Sequence, residues 1–121
     1  MFLRINMTPD GKNKKDCVLR ALSYALDLPY SEIFEYLDDY KKNTKMRSYN
    51  RQKNVIEGIN SLLGYECIYS KRQSITTFIK NHSKGLYIIL VTGHLTVVHN
   101  SDVIDTWDCS RKFVKCYWRV V

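Results

Sequence analysis

The stretch Leu86-Tyr-Ile-Ile-Leu-Val-Thr-Gly-His-Leu-Thr-Val-Val-His-Asn-Ser-Asp-Val-Ile-Asp-Thr-Trp107 decides the fold. Its residues are mostly β-branched, aliphatic or aromatic, and two short polar interruptions break it, at Gly93 and at His99-Asn-Ser-Asp102. Such runs read as strands, and connections this short force neighbouring strands to be antiparallel. The apolar run Leu86–Val91 is the longest in the chain and reads as a buried strand. Leu95–His99, Val103–Trp107 and Phe113–Val120 continue the meander, and Tyr65–Tyr69 reads as a further strand.

Upstream the period changes from two to about 3.6. Val18, Leu22, Ala25 and Leu26 recur at helical spacing, so a first helix is expected from Cys17 to about Leu26, with Asp16 as its N-cap and Pro29 closing it off. A second helix is expected over Glu32–Lys42, capped by Ser31. A third is expected from about Asn50 to Leu63, with Gly64 at C′. Ser74 caps a short helix to Lys80. Residues 1–15 begin with a short apolar run and become a polar loop with a turn at Pro9-Asp-Gly11. Helices first and strands after is an α+β pattern. The expected architecture is N-terminal helices packed on a four- to five-stranded antiparallel sheet.

The chain has 121 residues, which suits one domain over 1–121. No apolar run approaches the length of a membrane span, and Met1–Met7 carries no secretory signal pattern. A reducing cytoplasm, and no membrane partner, is therefore expected. The formal charge is +7, split +4 and +3 between residues 1–53 and 54–121. The local concentration is Lys41, Lys42, Lys45, Arg47, Arg51 and Lys53, with no acid among them. A run like this is first a solvated face, and second a docking surface for a host protein or nucleic acid.

The four cysteines, Cys17, Cys67, Cys109 and Cys116, form no CxxC or CxxH pair, so no metal and no cofactor is expected. Cys67 and Cys116 lie in strand-like runs and read as small buried hydrophobes. Cys17 differs because it falls on the first turn of a capped helix, where free N–H groups and the helix dipole favour a thiolate.

His94 opens a strand directly after Gly93. Asp105 lies on the far arm of the next hairpin. With a two-residue turn at Asn100-Ser101, Thr96 pairs with Asp105, and His94, Thr96, Val98, Val103, Asp105 and Trp107 share one face. A four-residue turn pairs His94 with Asp105 directly, whereas odd-numbered loops bring Asp108 or Thr106 forward. On the favoured registers Trp107 could wall a site at His94. His99 faces away and is expected at the surface. Trp107 and Trp118 both suit core anchors.

A thiol, an imidazole and a carboxylate make a chemical unit: nucleophile, base and acid, and orienter. Their order is also suggestive. Cys on an N-terminal helix, then His and Asp on antiparallel strands, resembles the papain-like cysteine peptidases, especially the minimal bacteriocin-leader peptidases. The strings Lys15-Asp-Cys-Val-Leu-Arg-Ala-Leu22, Gly93-His-Leu-Thr-Val-Val98 and Asp105-Thr-Trp-Asp108 are similar to those of small phage and bacterial proteins of that group. The resemblance implies thiol-dependent hydrolysis or acyl transfer on an amide or isopeptide bond of a peptide or protein substrate. It also implies an oxyanion-binding amide about six residues before the nucleophile. That position is Gly11 here, and Asn13 is the nearest amide. The competing expectation is an inactive relative, or a phage-encoded inhibitor working in the host cytoplasm, that binds through its basic surface.

Overall fold

The computed structural model describes residues 1–12, 15–49 and 51–121. Among them, four helices and six strands follow in the order β1 (Phe2–Arg4), α1 (Cys17–Leu26), α2 (Tyr30–Asn43), α3 (Gln52–Leu63), β2 (Ile68–Tyr69), α4 (Ile75–Asn81), β3 (Leu86–Val91), β4 (His94–His99), β5 (Asp102–Asp105) and β6 (Val114–Arg119). The fold is α+β.

The strands form one mixed sheet in the order β1-β5-β4-β3-β6-β2. The expected four- to five-stranded antiparallel sheet is thus corrected on two counts. The apolar start of the chain is a sixth strand, and it runs parallel to β5, pairing Phe2 with Val103 and Arg4 with Asp105. Three residues carry too short a pattern to register as a strand. They are held by backbone bonds at both ends, Val103 N–H to Met1 O at 2.7 Å and Ile5 N–H to Asp105 O at 2.9 Å.

All six residues of β3 are buried because both sheet faces are covered. Leu86, Ile88 and Leu90 pack with Leu22, Ile33, Ile59 and Trp118 under α1–α3. Tyr87, Ile89 and Val91 pack with Ile75 and Phe78 of α4. Burying a large aliphatic side chain contributes roughly 1.5–3 kcal/mol, so a two-sided central strand anchors the sheet.

The β4–β5 turn is the two-residue one. His99 pairs with Asp102 and Val98 with Val103. Asn100 and Ser101 both have positive φ, 48° and 73°, as a turn matching the strand twist requires. Ser74 caps α4 by accepting from Thr77 N–H at 3.2 Å, and Gly64 ends α3 at φ 81°. Two other capping expectations fail. Helix α2 begins after Pro29, with Ser31 already inside it, because the fixed φ of proline sets up the first turn. Asp16 stands at the N-cap of α1, but its carboxylate makes no capping bond there. The expected start of α3 at Asn50 lies outside the described residues, and the helix runs from Gln52.

Candidate active site

The site forms where the N-terminus of α1 meets the open end of the β3–β4–β5 meander. The register that pairs Val97 with Ile104, carried one residue further, places Thr96 opposite Asp105 and makes His94 its diagonal neighbour. Asp105 reaches across, and His94 Nε2 lies 2.6 Å from its Oδ2. Both side chains are withdrawn from water, at 10% and 4% exposed. Asp105 Oδ1 accepts the Thr106 N–H at 2.7 Å. Burial pushes the Asp105 carboxyl up, but the bonds to His94 and Thr106 outweigh it and hold it below its ordinary value.

Cys17 opens α1 and lines the same cavity as Gly93, His94 and Trp107. Burial raises its thiol, while a bond to the His94 side chain, a bond to the Leu95 backbone and the nearby Arg20 charge lower it. The net direction is down from 9.0. Burial works against the His94 imidazolium, but bonds to Asp105, Cys109 and Cys17 prevail and push it up to about 11. The His94 imidazolium is therefore favoured between Asp105 and Cys17, both of which are shifted towards their anionic forms.

Asp16 has a different task from the one its position suggests. Its Oδ2 accepts from Thr8 Oγ1 and Tyr30 OH, both at 2.7 Å, and its Oδ1 is ion-paired with Arg20. Burial, and then the Asp16 bond, push the Tyr30 phenol up to about 12. With this carboxylate turned away, no side chain among the described residues caps the first turn of α1. Arg20 also lies 4.0 Å from Asp105 Oδ1. A buried chain of polar contacts thus runs from Tyr30 through Asp16 and Arg20 to Asp105 and His94.

Trp107 is 42% exposed, which corrects its reading as a core anchor. Its ring lies 4.9 Å from that of His94, so it does wall the site. Trp118 is the core tryptophan, 1% exposed, with Nε1–H donating to Asn60 Oδ1 at 2.8 Å. His99 faces away from His94 as expected. It is half-buried rather than at the surface, because its Nδ1 meets Tyr24 OH of α1 at 2.8 Å. Asn13 lies outside the described residues.

The cavity in front of Cys17 measures about 810 Å³. Phe34, Leu37, Tyr49 and Val55 wall it on the helical side, and Leu90 and Leu95 on the sheet side. Gly58 of α3 makes room for the Tyr49 ring, since a Cβ there would meet Tyr49 Cε1 at 2.7 Å. Of the basic segment, Lys41 also lines the cavity. Lys41 and Lys42 are paired with Asp38, at 3.8 and 3.0 Å, and Lys53 with Glu57 at 3.9 Å. The run holds no acid in sequence, yet two acids one helical turn away, Asp38 and Glu57, pair with three of its six cations. Lys45, Arg47 and Arg51 are exposed.

Sequence reasoning missed Cys109. It is 1% exposed, and its Sγ donates to Asp105 Oδ2 at 3.6 Å. It follows β5 in a turn where Asp108 Oδ1 accepts from Ser110 N–H at 3.0 Å, and no periodicity fixes the direction of a turn residue. Arg20 was also missed. Its one signal was the i,i+4 spacing from Asp16. No helix among the described residues is long and apolar enough to cross a membrane. No protein-family model matches the chain, and no curated protein or solved structure matches it either.

Proposed function

We propose that this chain is a papain-like thiol hydrolase or acyl transferase acting on an amide or isopeptide bond. The observation that carries the reading is the His94–Asp105 hydrogen bond of 2.6 Å, with Cys17 at the start of α1 lining the same cavity as that imidazole. An Asp-fixed imidazolium beside a thiol on a helix N-terminus is what a thiolate nucleophile requires.

In the first step Cys17 Sγ attacks the carbonyl carbon, and the oxygen becomes an oxyanion. The uncapped N–H groups at the start of α1 are the available backbone donors for that charge. His94 passes a proton from the nitrogen that Asp105 does not use to the departing amine, and a thioester remains on Cys17. His94, now neutral, takes a proton from water or from an acceptor amine as that nucleophile attacks the thioester. The acyl product leaves, and the thiolate–imidazolium pair is restored. Asp105 stays ionised throughout and fixes the ring.

Iodoacetamide labelling near pH 6, read by mass spectrometry, tests the activated thiol. Cys17 is expected to react well before Cys67, Cys109 and Cys116. Equal rates would sink the reading. The basic-surface binding alternative comes second, because three of its six cations are already paired with neighbouring acids.

A further inference from the structure

Hydrolysis as proposed uses one sulfur, and the site contains two. Cys109 has no part in the reaction, yet it is buried against the carboxylate that orients the base. A ring nitrogen of His94, a carboxylate oxygen of Asp105 and Cys109 Sγ all lie within 4.8 Å of one another, and all three residues are buried. We infer that these three side chains form a binding site for a thiophilic divalent cation of the zinc type, and that its occupancy turns the thiol site off.

The donor set is one that zinc favours: imidazole nitrogen, carboxylate oxygen and thiolate, three protein ligands with a fourth position left for water. Bonds of about 2.0–2.3 Å at tetrahedral angles place ligand atoms roughly 3.3–3.8 Å apart. The 2.6 Å His94–Asp105 contact must open by less than about 1.5 Å, and the longest side of the triangle must close by about 1 Å. Cys109 sits in a turn rather than in a strand, so a shift of that size does not break the sheet. Of the three ligands, His94 lines the cavity in front of Cys17.

Charge also balances. A divalent cation, a neutral imidazole, a carboxylate and a thiolate sum to zero, so the loaded site places no net charge in a buried setting. A metal on the Asp105-side nitrogen leaves the other nitrogen protonated and unable to accept from Cys17. The imidazole is then lost as a base. This inhibitory consequence rests on the thiol-hydrolase reading, whereas the binding itself does not.

The experiment uses the full chain carrying Cys17→Ser, titrated with Co²⁺ alone. One equivalent should bind and give a thiolate-to-cobalt charge-transfer band that Zn²⁺ abolishes by displacement. Adding Cys109→Ser should remove the band and weaken Zn²⁺ binding by more than about 100-fold, beyond what changes around a ligand cost. Should Cys109→Ser fail to fold by near-ultraviolet circular dichroism, His94→Gln on the Cys17→Ser background removes a different ligand and must weaken binding equally. Absence of a band in Cys17→Ser, a band that survives Cys109→Ser, or Zn²⁺ binding that His94→Gln leaves unweakened, overturns the site. If the band forms while wild-type Cys17 proves no more reactive than the other cysteines, the hydrolase reading falls and the metal site stands.

Discussion

Arg20 Nη2 lies 4.0 Å from Asp105 Oδ1, the carboxylate oxygen that His94 does not use. Its other terminal nitrogen is bonded to Asp16. One buried guanidinium therefore serves two buried carboxylates, and its removal leaves both in a low-dielectric setting with one positive partner fewer. Breaking a buried ion pair from one side costs about 3–5 kcal/mol. Arg20→Gln is expected to lose that much in urea unfolding. A loss under about 1 kcal/mol would mean the pairing behaves as a surface contact.

Asp105→Asn should disable Cys17 through the imidazole. Asp105 Oδ1 accepts from Thr106 N–H and faces Arg20, so that position must remain an oxygen. The amide NH₂ of asparagine is then directed at His94 Nε2, which imposes the wrong tautomer. Cys17 alkylation at pH 7 should fall at least about tenfold, since an ordinary thiol is only a few per cent ionised there. An unchanged rate would show that Asp105 does not orient the ring.

The titrating groups give stability a defined dependence on pH. His94 is raised from 6.5 to about 11, so its contribution is fully present below 6.5 and is lost as pH rises towards about 11. Cys17 and Asp105 are lowered. The Cys17 contribution is full above 9.0 and lost as pH falls through its depressed value, and that of Asp105 is full above 3.8 and lost below it. His94→Gln removes the first dependence. On a Cys17→Ser background, which removes the opposing thiol dependence, thermal melts at pH 6 and 9.5 should show a larger fall in stability with His94 present than with His94→Gln added. Parallel behaviour of the two proteins would contradict the raised imidazole.

The two tryptophans should separate cleanly. Trp118 is sealed in the core and bonded to Asn60, so Trp118→Ala is expected to cost about 3–5 kcal/mol. Trp107 is mostly an exposed wall against His94, and Trp107→Ala should cost no more than about 1 kcal/mol. Denaturant midpoints of both variants check the contrast. Similar losses would place Trp107 in the core after all.

Much of this site was legible because it rests on short-range rules. Alternation along β4 and β5, with a turn of even length, brings Asp105 to His94 whichever even length is used. The helical period from Val18 to Leu26 likewise gives Cys17 its place at a helix start. What stayed hidden depends on tertiary direction. Asp16 occupies the N-cap, but no local rule says that Thr8, Tyr30 and Arg20 will claim its carboxylate. Cys109 lies beyond the last paired residue of β5, where alternation no longer predicts a face. The strand Phe2–Arg4 exists only because β5 offers a parallel edge one hundred residues away.

The Asn100-Ser101 turn is where register, and with it the His94–Asp105 contact, is set. Ser101 has φ 73°, a conformation that costs a side-chain-bearing residue about 1–2 kcal/mol and glycine almost nothing. Ser101 recovers part of that cost through the bond from its Oγ to Ser83 O at 2.8 Å, an exposed contact. Ser101→Gly should therefore raise stability by about 0.5–1 kcal/mol while leaving Cys17 alkylation unchanged. One extra glycine between Asn100 and Ser101 should act oppositely. An odd-length turn shifts β5 against β4 by one residue and turns Asp105 to the other face of the sheet. Cys17 should then label at pH 6 no faster than Cys67. If the insertion leaves Cys17 as reactive as in wild type, the carboxylate reaches His94 by some route other than this register.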